Sequence, residues 1–162
     1  MTETADEDKN VAQVFCSSTR SYALRLTPGQ EIRSALVQFV QRSGLKAVFV
    51  MTCVGSVRKA TLRMATNKDV GKEEIKTFNE NFEIVSLVGT LRGDSDHLHP
   101  HLHISLSDVT GHVIGGHVIG DLIVHTTAEI VLGECMELEF KDVMDPETGY
   151  NELVIEKRQN QE

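Results

Sequence analysis

The sequence predicts an α+β fold in which a mainly antiparallel sheet wraps against one principal helix. Three observations lead there. Strand-like runs separated by turn residues fill most of the chain, one segment alone repeats its apolar residues at clear helical spacing, and no apolar run approaches the roughly 18 residues that span a bilayer. A chain of 162 residues suits one domain with a core that needs no covalent staples. The expected organisation is a disordered acidic leader over residues 1–10, one domain over 11–157 and a frayed polar tail over 158–162. The leader, MTETADEDKN, lacks the basic and apolar regions of a secretory signal. Acidic side chains number 24 against 16 basic ones, a net charge of −8 that argues against a broad phosphate-binding surface. Cys16, Cys53 and Cys135 are odd in number, widely spaced and set in apolar surroundings, so they read as reduced packing residues of an intracellular protein.

Taken in order, Val11 to Cys16 and Ser21 to Leu26 alternate as two strands joined by a turn at Ser17, Ser18 and Thr19. The helix follows: Thr27 reads as its cap, Pro28 as its first residue and Gln30 as the partner in a capping box. Ile32, Ala35, Leu36, Phe39 and Val40 form its apolar stripe, and Gly44 its left-handed stop. Lys46 to Val54 is a dense apolar run that reads as a buried strand ending at Gly55, and Ser56 to Ala65 as a second strand. Arg58, Lys59 and Arg63 there read as a solvated face. After a turn over residues 67–71, Glu73 to Phe78 suits a sheet edge, and Asn81 to Arg92 is a long strand with Gly89 as its bulge. A turn at Asp108 to Gly111, strands at Val113 to Ile119 and Asp121 to Leu132, and closing strands at Cys135 to Val143 and Glu152 to Lys157 complete the chain.

The stretch from Asp96 to Asp121 holds six of the seven histidines. His101 and His103 stand two apart in an apolar run with Leu102, Ile104 and Leu106, so an extended strand aims both imidazoles at one face. His117 follows Gly115 and Gly116, where the missing side chains let the backbone approach another strand and a third imidazole join the pair. Three histidines on strands suit zinc or another divalent transition metal with a coordination position left for water or substrate. The alternative is a polar strand face with no ion. His97 and His99 read as loop residues around Pro100, His112 as a turn residue, and His125 as a core or interface residue.

Four segments carry a resemblance to a known family: RLTPGQEI at 25–32, NFEIVSLVGTL at 81–91, HLHISLSD at 101–108 and GGHVIGDLIV at 115–124. Together they resemble the PPC domain, named for plants and prokaryotes, over roughly residues 10 to 142. The resemblance implies an α+β domain, a homotrimer, and a metal, often zinc, on His101, His103 and His117. It also implies a broader structural group that contains zinc decarboxylases acting on acetolactate and zinc ester hydrolases, a likeness at the level of fold only. Plant members join the domain to AT-hooks and bind DNA in the nucleus; this chain has no Arg-Gly-Arg-Pro.

Two functions follow as expectations. One is a trimeric metal-binding protein whose three-histidine site is open to water or a small-molecule ligand, with hydrolase or lyase chemistry in view. There Glu83 would carry a proton and Arg25 would hold an anionic group, or either would serve a subunit boundary. The other is a non-enzymatic module that binds DNA or other proteins, with the charge and the missing hook weighing against DNA. No membrane partner is expected, and the expected location is cytoplasmic rather than nuclear.

Overall fold

The computed structural model describes residues 12–66, 71–93 and 97–159. Its elements run β1 (Thr19–Leu26), α1 (Ile32–Ser43), β2 (Val48–Arg63), β3 (Ile75–Phe78), β4 (Phe82–Arg92), β5 (His99–Ser107), β6 (Val113–Cys135), β7 (Leu138–Met144) and β8 (Asn151–Lys157). The leader over 1–10 and most of the turn over 67–71 lie outside the described residues.

The fold class differs from the expectation. Strand β6 pairs antiparallel with β5, β5 with β4, β4 with β2, and β2 with β6 again, so four strands close into a barrel, with β1 and β3 added at its flanks. Closure leaves these four strands no free edge. The 23 residues of β6 make it possible: one stretch pairs with β5 while others pair with β2 and β1. Four register shifts along the β2–β6 ladder bend the pair, as bulges do, and curve the sheet onto itself. The helix is therefore one element packed against a barrel, not the body that a sheet wraps. The core lies inside and is built mainly from strand residues, among them Val57, Leu62, Leu102, Leu106, Leu122 and Leu132, each 0% exposed.

Ile32, Leu36 and Val40 of the helix join the same core, each burial worth about 1.5–3 kcal/mol relative to exposure. The stripe and the left-handed Gly44 stop are as expected, but the cap is not. Glu31 caps the helix, its carboxylate accepting from Arg33 N and Ser34 N, while Gln30 Oε1 accepts from Thr27 N in a turn ahead of it. That turn is held to β6 by Gly29 N donating to Val124 O and Val124 N donating to Gln30 O. Strand-type pairing thus takes the residues that a local capping box would have used.

Other boundaries move for similar reasons. Residues 12–18 are not a strand; the two strands expected over 46–65 are one, β2; and those expected over 113–132 are one, β6. The β4 irregularity falls between Ile84 and Ser86 rather than at Gly89. Gly89, at φ +142, instead lets the backbone approach β5: a Cβ there would stand 1.9 Å from His101 O. Strands β7 and β8 form the expected closing hairpin as a separate two-stranded sheet with its own small core of Ala47, Leu138 and Phe140. Buried Glu134 ties that region to the barrel, accepting from Tyr22 Oη, Lys46 N and Arg158 Nη2. All three cysteines are free, and burial pushes the Cys53 thiol up to about 12.

Candidate metal centre

Alternation along β5 separates two kinds of residue. Leu102, Ile104 and Leu106 point into the barrel and are buried, so His101, His103 and Ser105 face outward. Register then sets the neighbours of His103: Val88 on β4 and His117 on β6, with His117 in turn opposite Arg63 on β2. A single cross-strand row therefore reads Val88, His103, His117, Arg63, and His101 stands two residues along β5 on the same face. Gly116 lets β6 lie close to β2, since a Cβ there would be 2.8 Å from Arg63 O.

The imidazole nitrogens converge. His101 Nε2 lies 3.3 Å from His103 Nε2, and His117 Nδ1 lies 3.3 Å from the same atom. One ligand atom from each ring lies within 4.8 Å of those of the other two. Two ligands of a tetrahedral ion at about 2.0–2.1 Å stand roughly 3.3–3.4 Å apart, so two of the spacings already match such an ion. Hydrogen bonding serves the trio less well: His103 Nε2 has one proton or one lone pair to offer, and two ring nitrogens face it. The donor set therefore fits a zinc-class cation.

The surroundings keep two of the rings neutral, the state in which imidazole ligates. Burial, then the Arg63 guanidinium and the neighbouring histidines, push His117 down to about 4. Burial and then Arg92 lower His101 in the same direction. Arg92, 3% exposed, donates from Nη2 to His101 Nδ1 at 3.1 Å and to Asn151 O at 3.0 Å, and its Nε lies 3.0 Å from Asp142 Oδ1. Guanidinium can only donate, so neutral His101 carries its proton on Nε2, facing His103. A cation at that nitrogen would need its lone pair, so the proton would have to move to Nδ1 and the Arg92 contact would have to open.

Beside the row opens a cleft of about 370 Å³, lined by Arg63, Ser86, Val88, His103, Ser105 and His117 together with Met64, Ala65 and Ile104. Glu83 and Arg25 are not brought there. Glu83 is exposed, opposite Ser56 and Ser107, and lies five residues before Val88, roughly 16 Å of strand away. Arg25 is exposed on β1 and donates from Nε to Thr127 Oγ1. His99 opens β5 rather than sitting in a loop, with Nδ1 3.4 Å from Asp142 Oδ1. His112 is exposed in the turn beside Asp108, and His125 is exposed on β6, not in the core. Two arginines that the sequence reading left as ordinary, Arg63 and Arg92, flank the histidines instead. No local motif marks either one, because register and packing bring each to its histidine.

The profile of the Plants and Prokaryotes Conserved (PCC) domain matches residues 13–136. A bifunctional protein GlmU of Synechococcus sp. (strain JA-3-3Ab) is 41% identical over 140 residues, which are 86% of this chain and 21% of that protein. The chain thus spans about a fifth of that relative's length. A hypothetical protein of Salmonella enterica is 39% identical with a TM-score of 0.80, covering 90% of this chain and 99% of its own. A metal-containing protein of Archaeoglobus fulgidus shares the fold at 22% identity and a TM-score of 0.76, over 88% of this chain and 99% of its own. Other matches include AT-hook motif nuclear-localized proteins of Arabidopsis thaliana and solved chains whose names propose DNA binding. Among the described residues, no helix is long and apolar enough to cross a membrane.

Proposed function

This chain belongs to the Plants and Prokaryotes Conserved domain family, and from that premise we propose that it is a metal-binding member whose His101, His103 and His117 hold a zinc-class divalent cation beside a small-molecule cleft. The observation that carries the reading is the pair of 3.3 Å nitrogen separations meeting at His103 Nε2. When bound, such an ion supplies Lewis-acid polarisation of a carbonyl and activation of water near neutral pH, the chemistry of a hydrolase or lyase. The chain's own part is to keep His101 and His117 neutral and to receive a ligand against Ser86, Ser105 and Val88.

The same reading includes a homotrimer. Met51 and Val54 on β2 and Val85 and Val88 on β4 are each about half exposed, at 49%, 58%, 56% and 50%, on two paired strands, and a neighbouring copy would cover them. Glu83, at the same end of β4 as Val85, and Arg25 would take part in chemistry only across such a boundary. Light scattering is expected to give three subunit masses; a single subunit mass would contradict it. The metal reading is tested by calorimetric titration of the chelator-stripped chain with zinc, where one site per chain is expected and His117→Ala should abolish it. Heat from weak, multiple sites in the parent would reject the assignment.

A second reading, a DNA-binding or protein-interaction module, has the names of solved neighbours in its favour. The net charge of −8 over these 162 residues opposes it. A salt-dependent shift of duplex DNA at low micromolar protein would support it, and no shift at low salt would remove it.

A further inference from the structure

We infer that the cleft beside the histidines takes a small carboxylate-bearing ligand, and that Arg63 is the residue that selects it; the inference rests on the metal reading and deepens it. Arg63 and His117 are direct cross-strand partners, which puts their Cβ atoms roughly 5 Å apart on one face, and both line the cleft. Any ligand that reaches the imidazole nitrogens from this side passes the guanidinium.

Arg63 is also held in place. Its guanidinium carbon lies 5.2 Å from the centre of the Tyr150 ring, a cation–π contact that orients the planar group. Tyr150 is in turn anchored by its hydroxyl, which donates to Glu73. Tyr150 lies between β7 and β8, beyond the end of the family match at residue 136. The hairpin that follows the family domain thus furnishes the support for a residue inside it. A fork of fixed geometry beside a metal site matches the two oxygens of a carboxylate.

The rest of the lining agrees. Among the described residues it offers no carboxylate, two hydroxyls at Ser86 and Ser105, and an apolar side made by Met64, Ala65 and Val88. The single cation, with no acidic counterpart in the lining, favours an anion; the volume of about 370 Å³ suits a small molecule rather than a polymer. Among the described residues Glu73 interacts electrostatically with Arg63, and its carboxylate already accepts from Tyr150. A short hydroxy acid or oxo acid, with its carboxylate on Arg63 and its second oxygen toward the histidines, is the ligand class that fits.

The test uses the full chain, stripped with chelator and reloaded with one equivalent of cobalt(II), whose visible spectrum reports on its ligands. Titration with glycolate is expected to change the spectrum, and ethylene glycol, its uncharged counterpart, to leave it unchanged at the same concentrations. Arg63→Met should take up cobalt as the parent does and bind glycolate at least about tenfold more weakly, the scale of a lost charge-assisted hydrogen bond. Arg63→Lys should recover part of that loss, and Tyr150→Leu should show a smaller loss of about threefold by releasing the guanidinium. Equal glycolate affinity in the parent and Arg63→Met, both fully loaded, would overturn the inference while leaving the metal site standing. So would equal binding of glycol and glycolate. A parent that takes up no cobalt would remove the metal reading and this inference with it.

Discussion

The two faces of β5 do different work within nine residues of chain. On the inner face, Leu102 and Leu106 at 0% and Ile104 at 3% exposure fill the barrel; on the outer face, His101 and His103 gather nitrogens beside a cleft. The inner residues gain free energy from being out of water and gain nothing from their exact chemistry. The outer residues, half wet and crowded with like groups, bury little apolar surface, and the ion proposed for them would account for their placement. Alternation of side chains is what allows one strand to serve both ends without compromise.

The comparison breaks most visibly on the inner face. Leu102→Ala should destabilise the chain by about 2–5 kcal/mol through lost burial and a residual cavity, read by urea denaturation. If the variant retains its metal under conditions where it stays folded, the two faces are independent, as proposed. Arg92 sits between the faces, buried yet bonded to His101, so Arg92→Met should cost stability and, by leaving Nδ1 free to take the proton, change metal affinity. About 1.5–3 kcal/mol is expected on the stability side, the scale of hydrogen bonds made by a charged group. A variant with parental stability and parental affinity would show that the contact carries neither role.

A third test turns on protonation. His117 titrates at about 4 in the folded chain against 6.5 when unperturbed, so the unfolded chain binds this proton more tightly. Its contribution to stability is therefore fully present above about 6.5 and is lost as pH falls through the window toward about 4. In thermal melts of the metal-free chain, the parent should lose stability over that window, and His117→Asn should lose less. An identical pH response in the two would contradict the burial of this ring. The smallest stability effect is expected for His103→Ala, within about 0.5 kcal/mol for the metal-free chain by the same denaturation assay, because His103 is exposed and fills no core.

How much of this was legible in the sequence depends on the distance over which each feature is decided. The pairing of His101 with His103 is set by their own strand, and the stripe Ile32, Leu36, Val40 by its own helix, so both could be read directly. The cap is not legible locally, because Gly29 and Gln30 exchange backbone bonds with Val124, more than ninety positions on. Barrel closure is hidden for the same reason: it needs β2 to pair with β6, and alternation alone is equally consistent with an open sheet against a helix. Glu83 stands out in the sequence through a strand motif shared with the family, and a motif carries no register. Register places Arg63 opposite His117, 54 positions later, and no spacing in the sequence states that partnership.

The most direct test of the central claim is elemental analysis of the chain purified without an affinity tag, beside a variant carrying both His101→Ala and His103→Ala. One equivalent of a divalent transition metal per parent chain, and none in the variant, is the expected result. A parent well below one equivalent, or a variant with unchanged content, would contradict the account.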